Sequence, residues 1–321
     1  MAFVPLRVLS SFSMLEGAIE PKILAKTAAK RGFPAVALTD RNGLYAAMAF
    51  SEAAMDAGVQ PIVGATLGVA RPAEWGGAKE TVDWLVLLAK DEAGYANLCR
   101  LVSKAHMERP DHLAPHVTLD DLAGHSDGLI ALTAGGEGVV VRLLAEGQAT
   151  KARAAITRFA ELFPHRLYIE VSRRGDAGEE AAEGALLDLA YALDLPLVAT
   201  NPALYAEPHF HAAHDAMLCI ADSAYVDEAE RRRSSGHAWL KGEADMAALF
   251  ADLPEALANT LVVARRCAVA APKRRPILPR MGEDEDEALR AAARAGLEKR
   301  IADYAEELKP GYRERLEFEL D

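Results

Sequence analysis

Several stretches of this sequence carry side chains that could bind a metal or an anion. His209-x-His211-x-x-His214-Asp215 has the composition of a metal cluster. On a helix His209 and His211 point apart, while His211 and His214 share a face. A third ligand would have to come from elsewhere, so a helix with partly exposed histidines is the favoured reading. His106, His112, His116 and His125 are scattered along one loop-rich stretch and make no zinc-site spacing. Thr133-Ala134-Gly135-Gly136-Glu137-Gly138 could cradle a phosphate at a helix N-terminus. It lacks the Lys-Ser/Thr of a P-loop, and a plain flexible turn is favoured. Asp120-Asp121 reads as the start of a helix rather than an acid–base pair. Two basic runs, Arg231-Arg232-Arg233 and Lys273-Arg274-Arg275, are either solvated loops or contacts for DNA phosphates or an acidic partner. No Ser/His/Asp or Cys/His arrangement can be assembled.

The first apolar segment is the most informative one. Residues 3–9 read as a buried strand. On a strand, residues i and i+2 face the same way, so Arg7 and Leu9 stand where a His-x-His pair could chelate a metal. Neither is a plausible ligand.

The elements needed to position these groups alternate in type. Strands are expected at 3–9, 35–38, 61–63, 66–70, 84–89, 129–132, 167–171 and 197–199, with Gly64 separating two of the pieces. Helices are expected at 21–31, 44–57, from Asp91 as N-cap to about residue 103, 138–146, 149–163 and 178–194, then 207–222, 244–250 and 254–270. That order predicts parallel strands with crossover helices, in a closed (β/α) barrel or a doubly wound open sheet. No Gly-x-Gly-x-x-Gly follows the first strand, which counts against dinucleotide binding. From residue 271 the chain turns basic and proline-rich, then acidic, then helical and charged to its end, as in a piece of a longer protein.

The bulk numbers exclude some classes. A net charge of −12 argues against a basic DNA-binding surface over the whole chain, though it allows a local patch. Three widely spaced cysteines suit a reducing compartment and form no ligand pattern. No apolar run is long enough to span a membrane and no signal peptide is recognisable, so a cytoplasmic protein is expected.

Several strings together resemble the N-terminal PHP (polymerase and histidinol phosphatase) domain of bacterial replicative DNA polymerase III alpha subunits. They include Phe3-Val4-Pro5-Leu6-Arg7-Val8-Leu9-Ser10, Ala37-Leu38-Thr39-Asp40, Gln60-Pro61-Ile62-Val63-Gly64 and Leu87-Leu88-Ala89-Lys90. Gly94-Tyr95-Ala96-Asn97-Leu98, Val198-Ala199-Thr200-Asn201 and Leu253-Pro254-Glu255-Ala256-Leu257-Ala258-Asn259-Thr260 continue the series. Tyr312 to Leu320 resembles the entry to the polymerase palm. The resemblance implies an α/β fold, a distorted seven-stranded (β/α) TIM-like barrel of PHP type. It would span residues 1–271, followed by a linker at 272–286 and a helical start of the palm at 287–321.

In members that keep their chemistry, ligands at the strand ends hold up to three metals, which activate water and polarise phosphate. Carried over to this chain, the ligand positions fall on Arg7, Leu9, Glu16, Asp40, Arg41, Thr66, His106, Gly135, Pro202 and Leu204. Only Glu16 and His106 remain as expected ligands of that set, too few for a multi-metal site. Arg7 and Arg41 are expected to replace the metal charge by pairing with Glu16 or Asp40. The alternative is that they reach solvent or an anion. The resemblance thus implies no catalytic residue and no metal in this stretch, with magnesium needed only by the full-length polymerase. Its partners would be the proofreading exonuclease subunit, the rest of the polymerase III holoenzyme and primer-template DNA. Two rivals stand beside this: a metal-dependent phosphoesterase or 3′–5′ exonuclease with unusual ligands, and the PHP domain of an error-prone polymerase paralogue, at which Asp40-Arg41-Asn42 hints.

Overall fold

The computed structural model describes residues 3–77, 81–110, 112–280 and 282–321. Met281, within the expected linker, lies outside the described residues. The chain divides into two units, residues 1–272 and 273–321.

The first unit is built on a six-stranded sheet in sequence order: β1 (Ala35–Arg41), β2 (Gln60–Ala70), β3 (Val82–Ala89), β4 (Leu129–Leu132), β5 (Leu167–Ser172) and β6 (Leu197–Thr200). Its helices are α1 (Pro21–Lys30), α2 (Ala47–Asp56), α3 (Glu92–Met107), α4 (Leu119–His125), α5 (Val139–Ala145), α6 (Ala149–Leu162), α7 (Ala177–Ala192), α8 (His211–Asp222), α9 (Glu243–Leu249) and α10 (Pro254–Arg266). The second unit holds α11 (Glu285–Ile301) and α12 (Lys309–Leu320), joined by Arg294–Glu317 and Arg313–Glu298 ion pairs.

The all-parallel expectation fails at β3, which runs against both β2 and β4, while β1–β2, β4–β5 and β5–β6 are parallel. The link from β2 to β3 is short and its described residues hold only the 3₁₀ turn Ala73–Trp75. A parallel return needs a crossover of a dozen or more residues, usually with a helix. The expected break at Gly64 is also absent, since β2 runs through it. A Cβ there would stand 2.6 Å from the Leu87 carbonyl oxygen and from the Leu88 side chain, so the glycine lets β3 approach.

The expected first strand forms no regular ladder. Val8 bridges Ala203 in parallel, with Leu9 N–H donating to Ala203 O and Ala203 N–H to Arg7 O, both at 3.0 Å. On its other side Pro5 O and Val8 O accept from Ala37 and Thr39 of β1, each at 2.8 Å. Three residue steps therefore face two on β1, a bulge-like mismatch, and Pro5 has no N–H to offer.

Alternation along the strands sorts most of the core into two clusters. Val36, Leu38, Leu85, Leu87, Ile169 and Val171 pack with the helices. Ala35, Ala37, Val86, Leu88, Ile130 and Val198 pack with Val4, Leu6 and the α10 residues Val263 and Ala264. The 16-residue α3, which follows β3, starts on the expected cap: Asp91 accepts from Gly94 N–H at 2.9 Å. Asp91→Ala should lower stability by about 1 kcal/mol, read as a shift of the urea midpoint at unchanged slope.

Candidate functional site

Five charged side chains form one chain of contacts at the carboxy-terminal ends of β1 and β5, with Arg41 closing β1 and Glu170 inside β5. Arg7 is buried; its Nη1 donates to Glu170 Oε1 at 2.9 Å and to Ala134 O at 3.2 Å, and its Nη2 donates to Glu137. Arg41 donates to the other oxygen of Glu137 through Nη2 and to Glu16 Oε2 through Nε at 2.9 Å. The Arg41 guanidinium lies 4.3 Å from the centre of the Trp84 ring, a cation–π contact. The order Glu170–Arg7–Glu137–Arg41–Glu16 alternates in sign throughout.

Local backbone explains how Glu137 arrives there. Ala134 and Gly135 are both left-handed, with φ of 63° and 51°, and turn the chain into a 3₁₀ turn that ends at Glu137. For Ala134 this is an uncommon conformation. Two hydrogen bonds hold it: its N–H donates to Glu170 Oε2 at 3.0 Å and its carbonyl accepts from Arg7. Glu170 is further fixed by the Thr200 hydroxyl at 2.6 Å. Burial alone would raise the Glu137 carboxyl, but the Arg7 and Arg41 charges overcome it and hold the group well below the usual carboxylate range.

Arg41 does pair with Glu16, as expected; Arg7 does not, and Asp40 pairs with neither arginine. Asp40 is buried and accepts from Ser10 N–H at 2.7 Å, Ser10 Oγ at 2.8 Å and Ser13 Oγ at 2.7 Å. Burial raises its carboxyl against those bonds. Thr66 sits beside Arg41 in register and donates to Thr39 O at 2.9 Å. His106 is used elsewhere, with Nε2 2.7 Å from Asn42 O. Leu9, Pro202 and Leu204 line a cavity of about 500 Å³ together with Glu16, Arg41 and Glu137.

The other candidates resolve as follows. His211 and His214 both reach Ser234, at 3.0 and 2.7 Å, and His214 Nε2 lies 2.7 Å from Glu16 O. His214 is buried rather than partly exposed, and burial lowers its pKa. The glycine-rich stretch is no free turn and no phosphate cradle: Gly136 N–H already donates to Glu179 at 3.1 Å and Glu137 points into the network. Asp121 closes a capping box with Thr118 at the start of α4, as a helix-start residue should. Arg231 is held by both oxygens of Asp215, at 3.0 and 2.6 Å, so it is not available to a phosphate. Arg232 pairs with Asp222, while Arg233 donates to the Glu228 and Ala229 carbonyls. Lys273, Arg274 and Arg275 are exposed.

The residues present do not fit a metal centre. Among the described residues no group of three or more His, Cys, Asp or Glu side chains is placed to hold an ion. The nearby carboxylates of Glu16, Glu137 and Glu170 are each engaged by a guanidinium. Sequence reasoning missed Glu137 and Glu170 as partners of Arg7. One signal for Glu170 was present: it is the one charged residue inside the apolar run Leu167-Tyr168-Ile169-Glu170-Val171.

The sequence profile of the PHP domain matches residues 5–174. The chain belongs to the PHP domain family. This PHP domain protein is 43% identical to DNA polymerase III subunit alpha of Caulobacter vibrioides over 328 residues, covering 99% of the chain and 28% of that relative. It is 36% identical to the same subunit of Pseudomonas aeruginosa over 100% of the chain and of Escherichia coli over 99%, again 28% of each relative. The PHP domain protein therefore spans little more than a quarter of the length of these relatives. Among solved structures, a proposed metal-dependent phosphoesterase of Bifidobacterium adolescentis matches 63% of this chain and 87% of its own, with 13% identity and a TM-score of 0.44.

Proposed function

We propose that this PHP domain is the amino-terminal region of a bacterial DNA polymerase III alpha subunit, and that its former metal centre is now a structural salt-bridge network. The observation that carries this reading is the clamping of Glu137 between Arg7 and Arg41, at positions where the family resemblance expects metal-binding histidines. A guanidinium supplies fixed positive charge and a planar fork of donors, which substitutes for a cation but activates no water. On this reading residues 1–271 form the barrel, with the segment at 3–10 as seventh member between β1 and the stretch after β6. Residues 272–286 are the linker and 287–321 open the palm. The barrel is a non-catalytic cytoplasmic scaffold that buttresses the polymerase and docks the proofreading exonuclease subunit. Nucleotidyl transfer, primer-template DNA and magnesium belong to the full-length protein.

The test is metal content and hydrolysis. After incubation with zinc, manganese or iron(II) and desalting, the protein should retain far less than one metal per chain. It should hydrolyse neither nitrophenyl phosphate nor single-stranded DNA, and a chelator should leave its melting temperature unchanged. Stoichiometric metal with chelator-sensitive hydrolysis would establish a phosphoesterase instead.

A further inference from the structure

The cavity over the salt-bridge network has a lining of two chemical kinds. Leu9, Pro202, Leu204 and Leu218 are apolar, three of them at positions where the family resemblance places former ligands. Arg41, Arg174, Arg232 and Arg233 are cationic beside the carboxylates Glu16, Glu137 and Asp176; Arg174 also pairs with Glu179 at 3.3 Å and Arg232 with Asp222 at 3.0 Å, both outside the lining. Glu137 is moreover already shared between Arg41 and Arg7, and Arg233 donates to main-chain carbonyls rather than to a carboxylate.

Two of the lining arginines carry unused donors. Arg41 Nη1 and Arg174 Nε are buried and without a hydrogen-bond acceptor, as is Nε of Arg7, which holds Glu137. Stacking on Trp84 covers a face of the Arg41 guanidinium, and Glu16 and Glu137 take Nε and Nη2, so Nη1 alone is left over. A buried donor without an acceptor costs free energy that an incoming anion oxygen would recover. Each unused donor belongs to a charged guanidinium, and a hydrogen bond from such a group to a carboxylate oxygen is charge-assisted and strong. A bare, strongly hydrated inorganic anion would gain nothing from the four apolar residues.

We propose that this cavity binds an organic carboxylate carrying an apolar group, the chemistry a peptide presents at a leucine-type carboxy-terminus. The proposal goes beyond the scaffold reading and needs only the lining residues.

The experiment titrates the whole chain with N-acetylglycyl-leucine in chelator-containing buffer, followed by calorimetry and by the arginine Nε–H signals in NMR. Saturable binding is expected, with shifts at Arg174. The carboxy-terminal amide of the same dipeptide, and inorganic phosphate, should each bind at least about tenfold more weakly. Arg174→Ala and Arg233→Ala should each weaken the dipeptide about tenfold, with melting curves confirming the fold. Arg233 is exposed, so its variant carries the test even if Arg174→Ala is destabilised. No saturation, equal binding of the amide, phosphate binding as tight as the dipeptide, or an unaffected Arg233→Ala would each overturn the proposal. Metal content, which tests the scaffold reading, is measured separately, so the two can fail independently.

Discussion

Replacing Arg7 with methionine should cost the fold about 3–5 kcal/mol at neutral pH, the penalty for leaving a buried charge without its partner. The side chains of Arg7 and Glu170 are both fully inaccessible, 2.9 Å apart. Methionine fills most of the space but removes the donors to Glu170, Glu137 and the Ala134 carbonyl. Glu170 would keep Ala134 N–H and the Thr200 hydroxyl, but no compensating charge. The loss should appear as a lower urea midpoint with an unchanged slope. Adding Glu170→Gln to Arg7→Met should recover part of it, because the amide still offers an acceptor to Thr200 and carries no charge to strand. A loss below about 1 kcal/mol, the scale of an exposed ion pair, would show that the network does not hold this end of the sheet together. The comparison separates a pair that is costly to break from one that adds stability over an apolar replacement, which buried pairs need not do.

How much of this arrangement was legible depended on the range of the interaction that decides it. Elements fixed by local periodicity and punctuation came out near their places: α3 behind its Asp91 cap, α1 behind Pro21, and the apolar runs that became β1, β4, β5 and β6. Strand direction did not, because β3 reads like its neighbours and only the length of its connection reverses it. Gly64 read as a break because a glycine's lost contacts are visible in sequence and its neighbour's approach is not. At the site, Arg7 and Arg41 could be named because the family resemblance places metal-binding histidines there, and a buried guanidinium in their stead demands an anion. The choice of anion lies in tertiary geometry. Asp40 adjoins Arg41 in sequence, yet successive strand residues point to opposite faces, and Asp40 turns to Ser10 and Ser13. Glu137 comes from a loop 130 residues away from Arg7, delivered by two left-handed residues that no periodicity marks.

Glu137→Gln should lower stability by about 2–3 kcal/mol at neutral pH, the scale of hydrogen bonds to a charged group, and that loss should fade in acid. The amide can still accept one bond but cannot balance two guanidiniums, both largely shielded from solvent. Burial works against the native carboxylate, and the Arg7 and Arg41 charges more than reverse it, so its folded pKa lies below the unfolded value of about 4.3. For a depressed carboxylate, the stabilisation is fully present above the unfolded pKa and is lost as pH falls through the folded one. Wild type and variant should therefore differ by a constant amount from pH 7 down to about pH 5 and converge below about pH 4.3. Asp40 acts in the opposite sense, since burial raises its carboxyl and its proton uptake favours the folded state as pH falls. Because Asp40 is present in both proteins, the difference between the two urea titrations isolates Glu137. A difference that stays constant through pH 3 would mean that Glu137 contributes by shape or neutral hydrogen bonding. The charge-for-metal substitution would then have lost its central carboxylate.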